Sequence, residues 1–197
     1  EDEVEFPIGR IHSTPMVDIS VIKHGNIGTL MDIQKAAATE IRKELDKRTI
    51  SVISAAVPAE NTVTITSGGK LTEDALNEAL SILEDLELAA STIIMRGARF
   101  NDMRSWEGID PQTKYELRVK GIYKVYGGAN ILTTAAANLA EVLIVPDEEV
   151  GKWAIREKLS VDSVSKALKF KTGWLAWMEC APGITRTELL TKVVIQP

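Results

Sequence analysis

Aromatic side chains are spread so unevenly along this 197-residue chain that they limit where a compact core can form. Of the ten, Phe6 alone precedes position 100. Phe100, Trp106, Tyr115, Tyr123, Tyr126, Trp153, Phe170, Trp174 and Trp177 all fall in the second half. Large rings carry much of the burial in a core, so the second half can build one while the first must rely on Ile, Leu and Ala. The expectation is an extended amino-terminal part that needs neighbours. A compact chain of 21.6 kDa would bury about 70% of its unfolded surface, enough for one solid core or two small ones.

Hydrophobic residues make up 45% and charged ones 26%, ordinary usage that excludes a collagen, a disordered tail or a membrane protein. The single cysteine, Cys180, excludes an intrachain disulfide framework and a multi-cysteine zinc site. A formal net charge of −5 and a pI near 5.2 argue against gripping nucleic acid by bulk charge. No apolar run is long enough to span a bilayer, and no signal peptide is evident. The start at Glu1 is read as an upstream piece cleaved, removed or disordered.

Residues 1–25 show no helical period. Pro7, Gly9, Pro15 and Gly25 break short apolar stretches, and Val17-Ile19-Val21 alternates as a strand does. From Gly28 to Val57 the period changes. Leu30, Ile33, Ala37, Ile41, Leu45 and Val52 keep a three-to-four spacing, with opposite-charge pairs Arg42–Asp46 and Glu44–Arg48. This predicts a helix over 28–57, closed by Pro58, whose β-branched run 49–53 frays or bends its last turns. Asn61–Thr66 reads as an exposed strand. Thr72 then caps a helix with a clean stripe of Leu76, Ala79, Leu80, Leu83 and Leu86, which Leu71 could staple. Beyond it come a buried strand over 92–95, a short helix over 98–106, and a loop over 107–114. Two strands, 122–126 and 130–133, flank a Gly127-Gly128 turn. A strand over 141–145 stops at Pro146, and Asp147-Glu148-Glu149 reads as a capped helix start. Strands over 154–159, 172–180 and 189–195 finish the chain. Helices and strands mix without regular alternation, so the class is α+β.

A search for chemistry finds no constellation. Residues 66–72 imitate a phosphate loop, but Thr64 stands where the first glycine belongs and Leu71 where Ser or Thr would hold the metal. A turn and helix cap explain them. His12 and His24, twelve apart, read as surface histidines, and Cys180 as a buried small apolar residue rather than a nucleophile. Glu148 and Glu149 are adjacent and diverge. Trp174 and Trp177 lack the interleaved cations of a base-stacking platform. No catalytic, cofactor-binding or metal-ligating residue and no cofactor is assigned.

The order of the pieces is more telling. Residues 71–106 (LTEDALNEALSILEDLELAASTIIMRGARFNDMRSW) resemble a segment of the major capsid proteins of tailed phages, a helix followed by a strand with an II-M phrase and a short helix. GIYKVYGGANILTT (121–134) is similar to that family's glycine hairpin. EVLIVPDEEVGKWAIREKLSV (141–161) and TGWLAWMECAPGITRTELLTKVVI (172–195) resemble its later strands. The likeness covers residues 10–197, with Ala135-Ala136-Ala137-Asn138 replacing the usual Pro-containing turn. No motif for isopeptide cross-linking is matched.

The resemblance implies the Hong Kong phage capsid fold, with a long spine helix (28–57), a peripheral domain and an axial domain. Residues 1–27 would be an amino-terminal arm or the end of an extended loop. Residues 28–71 with 171–197 would form the peripheral domain, towards which the C-terminal strands return, and 72–170 the axial domain. It further implies a non-enzymatic subunit, assembled in the host cytoplasm into a virion. Pentamers and hexamers of many copies would close an icosahedral shell around double-stranded DNA, without sequence-specific binding and without a membrane. Portal, scaffolding and decoration proteins would be further partners. An encapsulin-like nanocompartment enclosing a cargo enzyme is the alternative within the fold. A small soluble enzyme or ligand-binding domain is the alternative from another class.

Overall fold

The structure is a computed structural model that describes residues 6–18, 27–66, 68–106, 125–166, 169 and 171–196. Two compact units divide the chain. One takes residues 1–49 and 153–183, the other 50–152 and 184–197. The sequence-based layout sets 50–71 and 184–197 with the peripheral part; by compactness they lie in the second unit.

The first unit is a four-stranded sheet with a helix on one face. Strand β9 (Lys171–Ile184) pairs with β8 (Gly151–Lys166) and is antiparallel to β1 (Gly9–Ser13) and β2 (Met16–Asp18). Gly9 opposite Cys180 and Met16 opposite Gly173 keep one register, so β1 and β2 are a single ribbon interrupted at Thr14-Pro15. Pro15 cannot donate to a ladder. Its carbonyl sits so near β9 that a Cβ on Gly173 would lie 2.1 Å from the oxygen, so this crossing requires glycine. Successive side chains alternate faces. Ile11, Ala176 and Cys180 therefore turn to one side, where they pack with Ala37 and Ile41 of α1 (Ile27–Ala56).

Helix α1 has 30 residues, about 45 Å at 1.5 Å per residue. It ends two residues before Pro58, as expected. Its predicted pair Arg48–Glu44 forms at 3.3 Å. The β-branched run 49–53 remains helical and does not fray. Ile50 and Ile53 are buried with Val57 in the second unit's core, and burial of that size outweighs a few tenths of a kcal/mol of propensity.

The second unit is a six-stranded sheet ordered β3 (Thr62–Ile65), β10 (Thr191–Ile195), β7 (Glu141–Pro146), β4 (Ala90–Met95), β6 (Ala129–Thr133) and β5 (Val125–Tyr126). β10 runs parallel to β3 and β4 to β6, and the other pairs are antiparallel. Period two sorts its residues cleanly. Ile93, Met95, Val142, Ile144 and Val193 join α2 (Glu73–Asp85) and α3 (Gly97–Met103) in one core, while Ile94 and Leu143 join Ile50 and Ile53 in the other. Thr72 caps α2, its Oγ1 accepting from Ala75 N. Gly127 and Gly128 turn with φ of 53° and 82°, as the hairpin requires. Ala135–Asn138 turns without proline because Thr134 Oγ1 and Asn138 Oδ1 accept from Ala136 N and Ala140 N.

Several expectations are corrected. Leu86 lies outside the α2 core and is 46% exposed, because the helix stops at Asp85 and Glu87 takes φ 59°. Asp147–Glu149 do not start a helix. Asp147 N donates to Ala89 O at 3.0 Å, and Val150 O accepts from Thr185 N and Arg186 N, which holds the segment extended into β8. The strand expected over 154–159 runs from 151 to 166, and that over 172–180 from 171 to 184. β1 is an added strand. β10 lies between β3 and β7 of the second unit. The loop 107–114, the start of the 122–126 strand, and Ile19 and Val21 of the early strand lie outside the described residues.

Candidate assembly surface

The residues that sequence reasoning weighed for chemistry stay apart. Gly68 and Gly69 adopt positive φ in the turn before α2, and the hydroxyl of Thr72 is occupied as a helix cap. His12 stands exposed on β1 opposite Trp177, and His24 lies outside the described residues. Cys180 is buried, and burial pushes its thiol above the usual range against an opposing pull from Arg48. Glu148 pairs with Arg186, and Glu149 with Lys152 at 3.7 Å. Among the described residues no three His, Cys, Asp or Glu side chains gather as a metal site. A hollow of about 390 Å³ beside α2 presents the carboxylates of Glu84 and Glu87 and no nucleophile.

What the first unit does present is a two-sided sheet of contrasting chemistry. On the face away from α1, Arg10 Nη2 and Nε donate to Glu179 Oε1 at 2.7 and 3.0 Å. Arg156 approaches the same carboxylate at 3.7 Å. The Arg10 guanidinium lies 4.7 Å from the ring centre of Trp177, and Trp177 Nε1 donates to Asp162 at 3.0 Å. The cluster ties β1, β8 and β9 together through two guanidinium N–H groups that share one carboxylate oxygen and a cation stacked on an indole, contacts that hold surface charges in place.

Arg156 and Asp162 fix the phase of β8. Both are even-numbered and face this cluster, so Trp153, Ile155, Leu159 and Val161 project from the opposite face. They are 42%, 55%, 52% and 55% exposed. The stripe extends about 26 Å at 3.3 Å per residue. Glu157, exposed on the same face, interrupts the array, which is a candidate contact surface. Among the described residues β9 is the one strand paired with β8. Sequence reasoning did not single out this stripe, although the alternation WAIREKLSV is its visible signal.

The second unit carries a single-signed face. Residues 71–95 hold six carboxylates and no Lys or Arg, and Glu78, Glu84, Asp85 and Glu87 on and just after α2 are exposed.

No family model and no curated protein matches the chain. Solved structures do. A chain of Mycobacterium phage Bobi superposes with TM-score 0.71 at 16% identity, covering 96% of this chain and 72% of that one. A chain of the cyanophage P-SCSP1u capsid gives TM-score 0.70 at 11% identity, over 94% and 71%. A chain of the holo-SrpI encapsulin complex from Synechococcus elongatus gives 0.67 at 13%, over 95% and 73%. Identities this low show a shared fold. The chain shares its α+β fold with chains of a cyanophage capsid and of an encapsulin complex, as the segment order implied.

Proposed function

From that fold, we propose that the protein is a non-enzymatic shell subunit. In this reading copies assemble as pentamers and hexamers and close around packaged double-stranded DNA as a virion capsid, formed in the host cytoplasm. The observation that carries it is the likeness across 94% of the chain to a chain of a cyanophage capsid. An uncovered 26 Å apolar stripe in the first unit fits a chain that completes its burial against neighbours. In this layout α1 is the spine helix, the unit of 1–49 and 153–183 the peripheral domain, and the unit of 50–152 and 184–197 the axial domain. Portal, scaffolding and decoration proteins would meet the assembled shell rather than the lone subunit. A net charge of −5 suits a wall that encloses DNA without clamping its phosphates. No helix among the described residues is long and apolar enough to cross a membrane.

A second reading keeps the fold and changes the contents. The encapsulin likeness supports a compartment around a cargo enzyme.

Expression of the chain followed by size-exclusion chromatography and negative-stain microscopy tests both readings. Rings, sheets or closed particles are expected. A stable monomer at high concentration would overturn the shell reading. Nucleic acid or a co-purifying enzyme inside the particles separates virus from compartment.

A further inference from the structure

We draw no further inference here: the strongest candidate, the uncovered apolar face of β8 formed by Trp153, Ile155, Leu159 and Val161, carries none because nothing in the structure shows what covers it.

Discussion

The Asp102 carboxylate holds the backbone N–H of Leu71, 31 residues earlier, at 3.0 Å, and the same oxygen accepts from Arg99 Nη1 at 3.0 Å. Arg99 continues the clasp by donating to Gly69 O at 2.6 Å and Leu139 O at 2.7 Å, and Trp106 Nε1 donates to Leu71 O. One short helix, α3, therefore pins the turn before α2 and the loop before β7. The Arg99 and Asp102 side chains are 11% and 17% exposed, so solvent would only partly replace a lost partner.

Asp102→Ala removes the acceptor and leaves the Leu71 amide and the guanidinium short of a partner. The expected cost is about 1–3 kcal/mol, read as a lower urea midpoint with an unchanged slope. Asp102→Asn keeps an acceptor for the amide and should recover part of that loss.

Leu83 and Leu86 were equivalent members of one stripe by spacing, yet Leu83 is fully buried and Leu86 is 46% exposed. Leu83→Ala should cost about 2–5 kcal/mol through lost transfer energy and the cavity left behind. Leu86→Ala should stay within about 0.5 kcal/mol. Thermal unfolding of the two variants side by side checks the contrast.

Gly173→Ala probes the interrupted ribbon. The added methyl would sit 2.1 Å from Pro15 O and 3.0 Å from Met16 Cα, both backbone atoms that cannot swing aside. β2 must shift from β9, at about 1–3 kcal/mol as for overpacked cores. Faster amide exchange confined to 16–18 and 171–173 is the expected signature. Gly97→Ala, where a Cβ meets nothing within 4 Å, is the control.

These sites show what could be read in advance. Helix α2 was legible because an acidic first turn, a Thr cap and one apolar stripe all point the same way, and its core face is local information. Helix α1 was legible in extent but not in its allegiance. Ala37 and Ile41 face one core and Ile50 and Ile53 another, a change of partner that no periodicity announces. Asp147–Glu149 imitated a helix start because a carboxylate after proline carries the composition of a cap. The groups that claim the segment instead, Ala89 O and the Thr185 and Arg186 amides, lie 35 or more residues away. Arg10 and Glu179 are 169 residues apart, so their pairing waits on the sheet that brings β1 beside β9. The exposed stripe of β8 was written as plain alternation, and only the phase set by Arg156 and Asp162 showed which side it occupies.

Cys180 links the first unit's core to pH. Burial raises its thiol pKa in the folded chain, and Arg48 offsets this only in part. A raised folded pKa means that the neutral thiol is favoured by folding. Its contribution is fully present below the unfolded value, about 8.5, and is lost as pH climbs from there through the folded value. Urea unfolding should therefore show stability falling as pH rises above the unfolded value, beyond the common background. Cys180→Ala should lower stability at pH 7, since it trims a side chain packed with Ile11, Ala37 and Ile41. It should also flatten that alkaline slope relative to the parent chain. An identical slope in parent and variant would exclude the thiol as the titrating group.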